Sequence, residues 1–181
     1  MAKLVSKTYG DAYISLALEK GNLTEEREEV TSFLKIFQEN EDLYKMLHHP
    51  KVVVEEKMRV MERIFKGKVS DDFMGFLLII MKKGRTGDMV SIFEYVISQM
   101  KRYEGIGILE VVSAVKLTGE QKKEIENRML ELTDYKTLEV DYKVDETLIG
   151  GLILRMDDRV VDNSIKNKLD SMARSLSQIQ L

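Results

Sequence analysis

No cysteine occurs anywhere in the chain, and that absence removes disulfides, thiolate metal sites and cysteine nucleophiles together. Long hydrophobic runs are missing as well. The longest, from Phe76 to Met81, is far short of the roughly 20 residues a membrane-spanning helix needs. Charges and tyrosines interrupt any apolar stretch between Met1 and Lys20, so the start does not read as a signal peptide. Charge of one sign is scarce too: the formal net charge is −3, which gives no whole-protein field for holding nucleic acid. What remains is an ordinary globular composition, 44% hydrophobic and 33% charged over 181 residues. That suits one large domain or two small ones. A soluble, cytoplasmic protein is expected.

Residue types able to do chemistry are few. His48 and His49 are the only histidines, and helix neighbours point about 100° apart, so they are poorly placed to share a metal. A helix end beside Pro50 accounts for them. Gly67-Lys68 lacks the flanking glycine and hydroxyl of a phosphate loop, because Glu62 and Val69 stand at those places. Asp71-Asp72 reads as a helix start and Asp157-Asp158 as a turn. No serine or threonine sits in a nucleophile-elbow context. Catalysis, a cofactor and a metal are therefore not expected.

Up to about Arg102 every apolar pattern has a helical period. Leu4, Val5, Tyr9, Ala12, Tyr13, Leu16 and Ala17 line a first helix closed by Gly21. Thr24 is expected to cap a second, with Val30, Phe33, Leu34 and Phe37 as its stripe. Leu43, Met46 and Leu47 make a short third, and Met58, Met61, Ile64 and Phe65 a fourth. Ser70 opens a fifth and Asp88 a sixth. Short loops between such helices imply antiparallel neighbours.

Past Gly107 the period becomes two. Residues 109–117 read as a mostly buried strand, and Leu138, Val140, Tyr142 and Val144 as a strand wet on one face. Between them Thr118 and Gln121 form a capping box for a helix carrying Ile125, Met129 and Leu132. The expected class is α+β: an N-terminal antiparallel bundle of about six helices over residues 1–104, then a small C-terminal α/β domain over 105–181.

The densest pattern is Val144-Asp145-Glu146-Thr147-Leu148-Ile149-Gly150-Gly151-Leu152-Ile153-Leu154-Arg155, followed by Arg159-Val160-Val161-Asp162-Asn163-Ser164. A double glycine precedes an apolar run, two aspartates separate two short strands, and three capping residues open a last helix. This stretch resembles the C-terminal hallmark of the F-type ATP synthase delta subunit family, known in mitochondria as the oligomycin-sensitivity-conferring protein. The matching positions are Val144, Asp145, Leu148, Ile149, Gly150, Gly151, Arg155, Asp162, Ser164 and Leu169. Asp157 and Asn163 stand where the family usually has glycine, and Lys166 and Lys168 where it has arginines. Elsewhere, Tyr9-Gly10-Asp11-Ala12 keeps the tyrosine and second alanine of a family tyrosine-alanine-x-alanine, and Lys83-Gly84-Arg85 replaces asparagine-glycine-arginine.

The resemblance implies a non-catalytic stator subunit that links the catalytic head to the peripheral stalk, at the cytoplasmic face of the plasma membrane and without inserting into it. The residues themselves pose a related question. Phe76-Leu77-Leu78-Ile79-Ile80-Met81 is apolar all round, so helix five is either the bundle's centre or covered outside by something else. Tyr9 and Tyr13 give helix one a similar surplus, and two such helices would make a groove for an amphipathic partner helix. In the delta family helices one and five receive the N-terminal helix of an alpha subunit. Carried over, this nominates Tyr9, Ala12, Tyr13, Leu16, Phe76, Ile79, Ile80 and Lys83.

The resemblance assigns the C-terminal half to the b subunits of the stalk, with Leu148, Ile149, Leu169, Met172 and Leu176 as candidates. Taken one by one, most of them read first as core of the small domain. Lys166, Lys168 and Arg174 could supply a polar rim. The alternative function is a general helical adaptor, or an RNA-binding protein using Gly84-Arg85-Thr86-Gly87 beside Lys82 and Lys83. A simple helix-helix turn explains that loop as well, and nucleic acid is not an expected partner.

Overall fold

The computed structural model describes residues 2–178, and side chains from 4 to 174. The chain divides into two compact units, Met1–Glu104 and Gly105–Leu181.

The first unit is a bundle of six helices: α1 (Ala2–Lys20), α2 (Leu23–Glu39), α3 (Glu41–His48), α4 (Val54–Phe65), α5 (Asp71–Lys82) and α6 (Met89–Glu104). Ser70 caps α5 as its sequence predicts, its Oγ accepting from Phe73 N at 3.1 Å. Thr24 does not cap α2. That helix starts at Leu23, and Thr24 Oγ1 instead donates to Glu104 Oε1 on α6 at 2.5 Å. Glu104 also pairs with Arg27 at 2.6 Å, so the start of α2 meets the end of α6 and the two run antiparallel. The pairs Ser6–Ser91 and Asp11–Tyr95 show that α1 and α6, which are not chain neighbours, run parallel. Tyr95 fits because residue 10 is glycine: a Cβ there would lie 2.5 Å from its ring.

The bundle closes around aromatic rings. Phe33 meets Phe73 and Phe93 edge-on at 5.1 and 5.5 Å, the offset geometry that aromatic quadrupoles favour. Met61, Leu77, Met81, Ile92 and Met100 fill the gaps without exposure. Burying each such side chain contributes about 1.5–3 kcal/mol.

The second unit is a four-stranded mixed sheet in the order β2-β1-β3-β4, with β1 (Ile106–Ser113), β2 (Thr137–Val144), β3 (Leu152–Met156) and β4 (Arg159–Asp162). β1 and β2 are parallel, joined through α7 (Gly119–Leu132), and the other pairs are antiparallel. β1 begins three residues before its sequence expectation and ends at Ser113, whose Oγ donates to Val115 O at 2.8 Å and turns the chain out of the sheet. Val115 is consequently exposed. The capping box of α7 is present, with Gln121 N donating to Thr118 Oγ1 and Thr118 N to Gln121 Oε1. Its Ile125 and Met129 pack over Leu109, Val111 and Met156, but Leu132 is exposed.

The opposite sheet face carries Ile108, half-buried Val112 and an ion row in which Glu110 accepts from Lys143 and Arg155 at 2.5 and 3.1 Å. Asp157-Asp158 makes the two-residue turn between β3 and β4, Asp157 taking φ +52° where glycine would be at ease. Ser164 caps α8 (Ile165–Gln178) by accepting from Asn167 N at 3.1 Å.

Candidate functional site

The candidate surface of the first unit runs along α1 and α5. These two helices meet antiparallel, since Lys20 near the end of α1 pairs with Asp72 at the start of α5, and Tyr13 stacks on Phe76 farther along. The Tyr13–Phe76 rings lie 4.4 Å apart and 8° from parallel, and Tyr13 also approaches Phe73 at 6.2 Å.

That geometry sorts the nominated residues. Tyr13, Phe76 and Ile80 are 3, 7 and 0% exposed, so they are the floor between the helices and offer no surface to a partner. The family resemblance nominated all three; α5 is apolar all round, so its periodicity does not separate inward Phe76 and Ile80 from outward Ile79, and Tyr13 on α1 turns inward to stack on Phe76. Ala12, Ile79 and Lys83 are exposed, while Tyr9 and Leu16 are half-buried. Ile79, at 52% exposure, is the large apolar side chain that α5 turns to solvent. Gly75 lies one turn before Ile79, and a Cβ there would touch nothing within 4 Å, so the helix surface beside it is open. Sequence reasoning passed over Gly75, although a glycine inside an apolar helix is a signal for close approach.

Beneath this strip sits a buried polar cluster that sequence reasoning also missed. Tyr13 Oη donates to Glu26, which is 4% exposed and also accepts from Asn22 Nδ2 at 3.0 Å. Ser70 Oγ, the α5 cap, approaches the same carboxylate at 3.5 Å, and Ser70 N donates to Glu29 at 2.5 Å. Burial, then the bond to Glu26, drives the Tyr13 hydroxyl well above the usual tyrosine range, so it stays a donor. α1, α2 and the start of α5 are thereby tied at one carboxylate. Tyr95, held by desolvation and its bond to Asp11, is pushed up to about 12.

A second concavity of about 590 Å³ lies between α2, α3 and α4, lined by Phe33, Ile36, Leu43, Ile64, Phe65 and Val69. The loop after α5 is a helix end: Gly84 takes φ +68°, Gly84 N and Arg85 N donate to Met81 and Ile80 carbonyls, and Arg85 faces Asp88 at 3.6 Å. His48 Nδ1 lies 2.8 Å from Tyr44 O and its ring stacks on Tyr44. Among the described residues no group of three or more His, Asp or Glu side chains could hold a metal ion. No helix among them is long and apolar enough to cross a membrane.

In the second unit Leu148 is 5% exposed, so it is buried within the unit and offers no contact surface. Ile149, Leu169 and Met172 are 67, 52 and 65% exposed, against the alternative that they are core. Ile165, not singled out from sequence, extends their stripe along α8 at 43% exposure. The side chain of Leu176 lies outside those described. The hallmark segment has a physical basis. A Cβ on Gly151 would lie 2.3 Å from Asn163 O, and one on Gly150 would meet Ile165 at 2.6 Å. Asp145 accepts from Thr147, and Asp162 from Ser164 N at 2.9 Å; these bonds hold both carboxyls below the ordinary range.

The sequence profile of the ATP synthase delta (OSCP) subunit matches residues 5–176. The chain belongs to that family. It is 47% identical over 181 residues, the whole of both chains, to ATP synthase subunit delta of Lachnoclostridium phytofermentans. Against the same subunit of Halothermothrix orenii it is 36% identical over 97% of this chain and 91% of that one. A chain in the mitochondrial ATP synthase hexamer of Toxoplasma gondii shares the fold, with a TM-score of 0.80 at 16% identity over 97% of this chain and 98% of that one. The protein is thus a delta-type subunit, a structural and non-catalytic part of the stator of the F-type ATP synthase.

Proposed function

We propose that this delta-type subunit joins the catalytic head to the peripheral stalk by two protein contacts. The first takes the N-terminal helix of an alpha subunit on α1 and α5, over Tyr9, Ala12, Leu16, Gly75, Ile79 and Lys83. Tyr13, Phe76 and Ile80 act beneath it as a rigid floor. The second takes the b subunits on α8 and the turn before β3, through Ile149, Leu169 and Met172. The protein then works as a peripheral component on the cytoplasmic face of the plasma membrane.

The observation that carries the first contact is Ile79, the large apolar side chain that α5 leaves exposed, one turn from open Gly75. An amphipathic helix recognises such a strip by inserting side chains at helical spacing. The floor supports tight binding because its rings are stacked and hydrogen-bonded before a partner arrives, so little ordering remains to be done.

The work is mechanical. Rotation driven through the membrane sector pulls on the head, and the head must be held against it. A nanomolar joint represents about 12 kcal/mol of binding free energy. Two helical interfaces reach that only when packed and preorganised. A reconstituted synthase from which this subunit is omitted is expected to hydrolyse ATP without proton pumping. Full coupling in its absence would refute the role.

A further inference from the structure

Within Leu148-Ile149-Gly150-Gly151, three residues are accounted for by the unit's own packing. Leu148 is buried, Gly150 lies beneath Ile165, and Gly151 takes φ +79° against the backbone of Asn163. Ile149 is different. Its backbone sits at φ +67°, ψ −39°, a conformation that a β-branched residue adopts only at a cost, while its side chain points to solvent. The fold gains nothing from an isoleucine there. Glycine would take that backbone freely.

We propose, resting on the stalk-binding reading above, that Ile149 is the preorganised anchor of the stalk contact, held strained so that its side chain enters an apolar pocket of the partner. Ile149 and Ile165 flank the same glycine, and from Ile165 the apolar stripe continues through Leu169 and Met172. Lys166 and Lys168 are exposed beside that stripe, so the occupant is an amphipathic helix with acidic edges. A large side chain at the centre of a desolvated patch is where binding energy concentrates. Fixing its direction in the free protein leaves less to be ordered on binding.

The test uses the full-length chain and the soluble part of the b subunit from the same source. Ile149→Gly is expected to lower the affinity at least tenfold while raising the thermal midpoint by about 2 °C, because the strain is relieved. Ile149→Ala keeps the strain and loses the anchor, so affinity falls with no gain in midpoint. Leu169→Asp reads the face independently. If Leu169→Asp disrupts binding but Ile149→Gly binds as the parent does, the anchor role is overturned and the stalk reading stands. If Ile149→Gly weakens binding without raising the midpoint, the strain argument is overturned. If neither substitution changes binding, the stalk does not dock on this face and both fall.

Discussion

The two units differ in how much of their apolar content they use. Among the described residues the bundle closes around a cluster of twenty buried apolar side chains, whereas the sheet and α7 close around three, with half-buried neighbours. The bundle therefore turns most of its apolar residues inward, and the large apolar side chains it exposes are scattered, with Leu4 and Leu18 on α1 and Ile79 on α5. The second unit leaves the stripe of α8 and both valines of β4 exposed. An exposed stripe at helical spacing is what a partner covers. A small core also means the second unit should open locally at lower free energy than the bundle.

The largest effect that would break this contrast lies in the aromatic core. Phe93→Ala is expected to destabilise the bundle by about 3–5 kcal/mol, whereas Leu169→Ala on α8 should change stability by less than about 0.5 kcal/mol. Chemical denaturation of the full chain measures both. Equal losses would mean that α8 is packed as core in solution.

A smaller effect is expected at the hallmark glycine. Gly151→Ala places a Cβ against Asn163 O and a side chain at φ +79°, so about 2–3 kcal/mol should be lost. The loss belongs to the second unit. Amide exchange should quicken over residues 105–178 and stay unchanged in the bundle. Exchange that quickens throughout would show the units to be one cooperative block.

The smallest effect is one of pH. Asp145 and Asp162 titrate lower in the folded state than their ordinary value of about 3.9. The stability they contribute is therefore present above about pH 4 and lost as pH falls through their depressed folded values. Acid should loosen the turn before β3 and the start of α8 before it loosens the bundle. Asp162→Asn should flatten that acid response, read by exchange corrected for intrinsic rate. Loosening of the bundle first would contradict the assignment.

Much of the architecture is legible in the sequence, because caps and turns are local chemistry. Ser70, the Thr118–Gln121 box, the Asp157-Asp158 turn and the Ser164 cap all act where their residue types point. What failed depended on distant partners. Thr24 reads as a cap until Glu104 claims its hydroxyl. Residues 114–117 continue an alternating pattern, yet Ser113 bonds forward to Val115 and the strand stops. The site was half legible. Motif and resemblance nominated α1, α5, α8 and the double-glycine segment, and the structure leaves Ile79, Ile149, Leu169 and Met172 exposed on them. Neither could tell that Phe76 and Ile80 face inward, because a helix apolar on every side carries no signal of direction, nor that Tyr13 on α1 pairs with Phe76 and not with a partner. Nor could they show that Ile149 is exposed and strained, since that follows from the packing of its two glycine neighbours.

Titration calorimetry of the full chain with a peptide from the N-terminus of its own organism's alpha subunit tests the central claim most directly. The account predicts one-to-one binding that Ile79→Asp abolishes while the thermal midpoint holds, because residue 79 is exposed. Binding by a folded Ile79→Asp variant with unchanged affinity would contradict it, as would a peptide that a folded parent chain does not bind.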